Sequence, residues 1–181
     1  MCTPRLIFFP ANANQIISTE ILLSALIKSE FVHDTAYSDN HFLPGENFLS
    51  LLTFLGCSPN INLHPDEGEK HCSISLYEIT TEVNCFGYTN TVNPKCPDCK
   101  KRIADWKTSS WQIPEKNCIC DKCQTSTPYA ELNWKHECAF GRCGFEVNNI
   151  YPHEAVPTDQ LLNILEKDTG FKWDYSYSNN I

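Results

Sequence analysis

No apolar run in this chain approaches the roughly 18–20 residues that a membrane-spanning helix requires. The longest candidate, Ile21-Leu22-Leu23-Ser24-Ala25-Leu26-Ile27, stops at Lys28 and Glu30. Near the start, Leu6-Ile7-Phe8-Phe9 is followed at once by Pro10 and polar Asn12 to Gln15, too short an apolar core for a secretory signal. A G-x-x-x-x-G-K-[ST] stretch is missing, so nothing offers a cradle for nucleotide phosphates, and no H-E-x-x-H pair marks a metalloprotease helix. Basic residues are scarce too, with three Lys/Arg against ten Asp/Glu over residues 1–94 of a chain whose net charge is −8. These absences predict a cytoplasmic protein without membrane insertion, poorly suited overall to polyanions.

Cysteine is present in a form that excludes one class. Eleven is an odd number, and about 6% of the chain falls below the ~8–10% typical of small disulfide scaffolds. Thiols reserved for metal in a reducing compartment fit better. Cys96-Pro97-Asp98-Cys99 is followed, after twenty residues, by Cys120-Asp121-Lys122-Cys123. Two C-x-x-C pairs at this separation predict one tetrahedral Zn²⁺ site with Cys96, Cys99, Cys120 and Cys123 as ligands. Four thiolates close the shell, so the ion serves structure or recognition rather than catalysis. Cys118, in Cys118-Ile119-Cys120, is a competing ligand; the matching x-x spacing favours Cys120 with Cys123. Neither pair opens a predicted helix, where a redox thiol would be activated. The other cysteines (2, 57, 72, 85, 118, 138 and 143) are expected to be mostly small buried groups.

The motif resembles a zinc ribbon, two knuckles joined by a short β-hairpin, over residues 93–128. On that resemblance the chain divides into a first half of a body (1–92), an inserted ribbon (93–128) and a second half of the body (129–181). Charge follows this division: residues 95–125 carry seven basic and four acidic residues, and 126–181 four basic and eight acidic. Lys100, Lys101 and Arg102 beside the first knuckle either offset the formal −2 of a tetrathiolate zinc site or, with Lys107 and Trp111, form a nucleic-acid contact face.

Hydrophobic patterning predicts the body. Arg5–Phe9 reads as a buried strand and Ile17, Ile21, Leu22, Ala25 and Leu26 as one face of a helix entered near Ser18. Residues 33–46 read as a polar connector, and Phe48–Leu55 as either a buried strand or a two-turn helix. Alternation from Ile74 predicts a strand running to about Val83, with Asn84–Pro94 leading into the ribbon. Within the ribbon, Trp106 and Trp111 flank a polar hairpin tip. Leu132–His136 and Phe145–Ile150 are expected to pair around Gly141 and Gly144. Thr158 should cap a second helix bearing Leu161, Leu162 and Leu165 and stopped by Gly170. Phe171, Trp173, Tyr175 and Tyr177 then stand at the period of a strand with an aromatic face, either core or a surface for bases or a partner. The order predicts an α+β fold, an antiparallel sheet with two helices, loosely ferredoxin-like, plus the inserted ribbon.

Pro44–Leu49, Phe54–Pro59, Glu154–Thr158 and Trp173–Tyr175 together resemble small bacterial proteins of unknown role, some named automatically as "sugar ABC transporter ATPase". That label conflicts with the missing phosphate cradle, and the resemblance transfers no functional residue.

Three further constellations remain. Cys138 and Cys143 with His136 are candidates for a second metal site or redox pair, against two buried thiols. His64, Asp66, Glu67, Glu69, His71 and Cys72 crowd one loop that a metallohydrolase could use, against ordinary solvated charge. Cys57 is a candidate nucleophile only in the sense that any Cys/His-rich chain supplies one. With no catalytic set assembled, the leading expectation is a non-enzymatic adaptor or immunity-type inhibitor that binds a protein partner, possibly basic. The alternative is a nucleic-acid-associated ribbon protein, and the third a metallohydrolase.

Overall fold

The computed structural model describes residues 3–38, 40–56, 61–65, 70–89, 91–114 and 116–179. Its elements are β1 (Arg5–Pro10), α1 (Thr19–Lys28), β2 (Val32–Ser38), β3 (His41–Pro44), β4 (Leu52–Phe54), β5 (Ser73–Leu76), β6 (Asn84–Tyr88), β7 (Asn117–Ile119), β8 (Ser126–Pro128), β9 (Cys138–Gly141), β10 (Phe145–Asn148), β11 (Ala155–Pro157), α2 (Asp159–Thr169) and β12 (Trp173–Ser178). Both helices begin at the predicted caps. The Ser18 hydroxyl accepts the Ile21 N–H and the Thr158 hydroxyl accepts the Leu161 N–H, each satisfying one orphan donor. Gly170 ends α2 in the left-handed region at φ 80°, returning its N–H to the Glu166 carbonyl, a conformation that costs a residue without Cβ nothing.

The main sheet has the order β12-β1-β10-β5-β3-β2, and every neighbouring pair is antiparallel. Within it, β1-α1-β5 and β10-α2-β12 are two split β-α-β units, so the expected α+β, ferredoxin-like arrangement is present, extended at one edge by β3 and β2. Alternation sends Leu6 and Phe8, Ile74 and Leu76, Phe145 and Val147, and Trp173 and Tyr177 to the helix-bearing face. There they meet Leu22, Leu26, Leu161 and Leu165 in one core. Each such side chain contributes about 1.5–3 kcal/mol on burial.

The opposite face is covered as well, by a second layer. Arg5 places its guanidinium 2.7 Å from Glu146 Oε2 and 3.2 Å from the Phe86 carbonyl, tying β1 and β10 to β6. Tyr77 donates its hydroxyl to the same Glu146 oxygen at 2.5 Å, and its ring stacks on Phe86 at 4.2 Å. The β6–β9 pair lies over β1 and β12 so closely that a Cβ on Gly87 would stand 2.7 Å from Ser178 Cβ.

A second apolar core forms in this layer, from Ile103, Trp106, Trp111, Cys118, Tyr129, Leu132, Trp134, Cys138 and Phe140 together with Cys96 and Cys120. It therefore draws side chains from the 93–128 segment and from residues 129–140, with partly buried Val83, Cys85 and Tyr88 packed against it. Glu137 is buried where the layers meet. Its carboxylate accepts the hydroxyls of Thr89 and Thr91 and lies 3.0 Å from His153 Nε2.

Several local expectations are corrected. Residues 33–46 are not a plain connector but largely the β2/β3 hairpin; only Val32 of β2 is buried, so an exposed edge strand left no burial pattern to read. Phe48–Leu55 is neither a full strand nor a helix: Phe48 and Leu51 are buried in a turn, and only Leu52–Phe54 pair, with β11. The strand from Ile74 ends at Leu76, and β6 occupies the presumed lead-in to the ribbon. Leu132–His136 is not a strand; β9 follows it and pairs with β6, while β10 pairs with β1 and β5. Trp106 and Trp111 flank no hairpin tip, because Asp105–Thr108 form a 3₁₀ turn and both indoles are buried.

Two substitutions check these assignments. Thr158→Ala removes the α2 cap and should lower the unfolding free energy in urea by about 1–2 kcal/mol. Gly87→Val forces a side chain against Ser178 and should cost about 1–3 kcal/mol by overpacking; an unchanged urea midpoint would refute the close approach of the two layers.

Candidate metal centre

The two C-x-x-C segments fold into the same local shape. In the first, Lys100 N–H donates to the Cys96 carbonyl at 3.1 Å and Cys96 N–H donates to the Lys101 carbonyl at 2.9 Å. In the second, Gln124 N–H donates to the Cys120 carbonyl at 2.8 Å and Cys120 N–H to the Thr125 carbonyl at 3.0 Å. The fifth residue of each knuckle turns left-handed, Lys100 at φ 61° and Gln124 at φ 63°. Such a turn aims both sulfurs of a pair towards one point. The β7–β8 hairpin carries the second knuckle, and Lys95 bridges to Arg102 and Asn133 to hold the first.

Cys96, Cys99, Cys120 and Cys123 consequently lie with their sulfurs within 4.8 Å of one another. The closest approaches are 3.6 Å, for Cys96–Cys123 and for Cys99–Cys120. A regular tetrahedron of metal–sulfur bonds of about 2.3 Å has sulfur–sulfur edges of about 3.8 Å. The four residues are thus positioned to bind a metal ion. Thr125 lies beside Cys123 at 3.4 Å and, by hydrogen bonding, lowers that thiol to about 6, so the exposed member of the set is ready to ionise. Although the Lys101 amide favours its thiolate, Cys99 is pushed up by desolvation and then by hydrogen bonding with the neighbouring sulfurs. A cation replacing the thiol protons resolves the competition.

Cys118 stands outside the cluster. It is buried in the second core, where burial raises its pKa against a hydrogen bond from Tyr129. Among the described residues, no other group of three or more His, Cys, Asp or Glu is arranged to hold a metal. The candidate second site does not assemble: Cys143 belongs to the first core and reaches the Gln15 carbonyl at 3.5 Å, whereas Cys138 belongs to the second core and lies 3.9 Å from Cys85. Of the 64–72 loop, Cys72 is wholly buried and pushed up to about 12, first by burial and then by Glu154; the His71 ring packs edge-on against Tyr37. Asp66, Glu67 and Glu69 lie outside the described residues, as do Cys2 and Cys57. The nucleic-acid face is corrected at one position: Lys100, Lys101, Arg102 and Lys107 are exposed, but Trp111 is buried against Trp106 and Tyr88 and presents no ring for a base.

Between the second core and the β12 edge lies a cleft of about 800 Å³, whose lining includes Asn12, Trp134, Lys135, His136, Asp174 and Tyr175. His136 shapes its rim. In left-handed conformation (φ 64°), it accepts the Tyr177 N–H on its carbonyl at 2.8 Å. Its Nδ1 lies 2.8 Å from the Tyr175 carbonyl and must be the donor, since a carbonyl can only accept. The imidazole stacks on Tyr175 at 4.1 Å, and Asp174 Oδ1 sits 3.4 Å from Nδ1. Asp174 is the main cause that raises the His136 pKa, opposed by partial burial. No periodicity in the sequence announced this arrangement. The Glu137–Thr89–Thr91–His153 junction was equally silent, its members being scattered over separate loops.

Comparisons of the chain with known family profiles, with curated proteins and with solved structures find no match.

Two measurements test the centre and its rim. Cys120→Ser should abolish metal binding and collapse the second core, because coordination supplies about 10–16 kcal/mol in zinc-finger peptides. Trp106, Trp111 and Trp134 all sit in that core, so near-ultraviolet dichroism should fall sharply while the far-ultraviolet helix signal persists; loss of both would mean that the first core does not stand alone. For His136, a folded pKa above the unfolded ~6.5 means stabilisation fully present below that value and lost as pH rises through the folded pKa. Asp174→Asn should move the His136 NMR titration midpoint down and flatten that loss.

Proposed function

We propose that this chain is a zinc protein without catalytic activity, working in the cytoplasm as an adaptor or immunity-type inhibitor that binds another protein. The observation that carries the reading is the four-sulfur cluster. Zinc held by Cys96, Cys99, Cys120 and Cys123 has its full complement of ligands and supplies structural stabilisation, with no position left for a substrate. Held this way, the ribbon and its aromatic core form a stiff layer beside the cleft rimmed by His136 and Tyr175. A net charge of −8 favours a partner with a basic face, through faster encounter as much as through tighter contact.

A second reading has one observation in its favour. Lys100, Lys101 and Arg102 are exposed together at the first knuckle, a basic patch on an acidic chain. With Trp111 buried, that patch would bind nucleic acid through phosphates alone, so its affinity would fall steeply with salt.

Metal analysis of the native protein should give one zinc per chain; iron, which also accepts four thiolates in a tetrahedron, would redirect the reading to electron transfer. Native pull-down with and without nuclease then separates the alternatives. A single stoichiometric protein that survives nuclease supports the adaptor or inhibitor. Recovery that collapses on nuclease treatment supports nucleic-acid association. Zinc above one per chain with no partner would favour a metallohydrolase built on the 64–72 loop.

A further inference from the structure

Outside the metal centre the fold brings two sulfurs together that are 53 residues apart in the chain, Cys85 on β6 and Cys138 on β9, at 3.9 Å. Register explains how. Cys85 stands opposite Phe140 and Cys138 opposite Tyr88, with a shift between Cys85 and Gly87 that inserts one extra residue in β6. Side chains two positions apart on one strand share a face, so Cys85, Phe140 and Cys138 project to the same side, and the irregularity bends β6 there. Neither cysteine belongs to the metal cluster. Cys138 forms part of the wall of the 800 Å³ cleft, and Cys85 is only half-buried.

We propose that Cys85 and Cys138 are a redox-active dithiol, separate from the metal centre, that exchanges with low-molecular-weight disulfides and closes reversibly into a cross-strand disulfide. The sulfurs lie 3.9 Å apart, close to van der Waals contact, on strands that are already paired, and a disulfide would draw them to about 2.05 Å. The two thiols are also unequal. Hydrogen bonding with Cys138 and the positive charge of Arg5 favour the Cys85 thiolate, while burial holds Cys138 protonated. Cys85 is therefore the attacking sulfur and Cys138 the resolving one.

The exchange balances in two steps. Cys85 thiolate attacks one sulfur of a small disulfide RSSR, the S–S bond breaks, and RS⁻ leaves to take up a proton. Cys138 then gives up its proton and attacks the Cys85 sulfur of the mixed disulfide, expelling the second RS⁻ as RSH. Two protein thiols and one RSSR become one protein disulfide and two RSH, with two electrons passing from the pair to the small molecule. The product bond would staple β6 to β9 under the aromatic core and alter one wall of the cleft. This inference stands independently of the protein-binding reading.

The test uses the full chain with its metal bound, equilibrated in glutathione/glutathione disulfide mixtures of rising potential, then alkylated and mapped by peptide mass spectrometry. The expected result is a Cys85–Cys138 crosslink, two thiols lost per chain, and no metal released. Cys85→Ser and Cys138→Ser should each abolish the crosslink, with near-ultraviolet dichroism confirming that the variants keep their second core, while Cys143→Ser should leave it intact. Disulfides confined to Cys96, Cys99, Cys120 and Cys123 with metal release would overturn the proposal. So would a glutathione adduct at Cys85 that never resolves, or free thiols at both positions in fully oxidising buffer.

Discussion

β1 is buried on both faces, and everything else is arranged around that burial. Leu6, Ile7 and Phe8 have no exposed surface, which an alternating amphipathic strand would not show. One face of β1 meets the helices. The other meets the β6–β9 pair, with Arg5 at its end fastening Glu146 and the Phe86 carbonyl. A six-stranded sheet with helices on one side only would leave an apolar flank around Ile7 in water. The second layer removes that flank, and the four cysteines positioned to bind a metal lie in this layer, which is short in regular structure.

The division of work between the layers is physical. The first core is large, built from aliphatic and aromatic side chains on the main sheet and both helices, and it contains none of the four clustered cysteines. The second is assembled from a 3₁₀ turn, three-residue strands and loops, which lose much conformational entropy for little hydrogen bonding. Its aromatic rings interlock, Trp106 edge-on to both Trp111 and Trp134 at 5.0 Å. A cation held by the four clustered sulfurs would add a constraint that the backbone cannot supply. Cys96 and Cys120 are members of both the core and the cluster, so packing and coordination share residues.

What could be read from the sequence was what local chemistry dictates. Ser18, Thr158 and Gly170 act within one turn of their own positions, and the two knuckles are each complete in six residues. The aromatic alternation of Trp173 to Tyr177 was legible because that strand borders the core. The rest depended on partners far along the chain. β2 is an edge, and its exposed residues carry no pattern. β6 and β9 are short and separated by the whole ribbon, so neither signals its mate. Trp106 and Trp111 seemed to flank a tip because polar Lys107–Ser110 intervene, yet a 3₁₀ turn brings both rings to one side. Cys138 was paired with its near neighbour Cys143 by spacing, when strand direction sends the two into different cores.

The geometry of His136 bears on how the molecule behaves among its own copies. By accepting from Tyr177 N–H and donating to the Tyr175 carbonyl, it occupies two backbone groups of β12 of the kind that another strand would use. At the other end of the sheet, β2 faces solvent with His33, Asp34 and Thr35 exposed and two register shifts against β3. A strand added from another molecule would thus meet groups already taken by a single residue on one side, and charge and irregularity on the other.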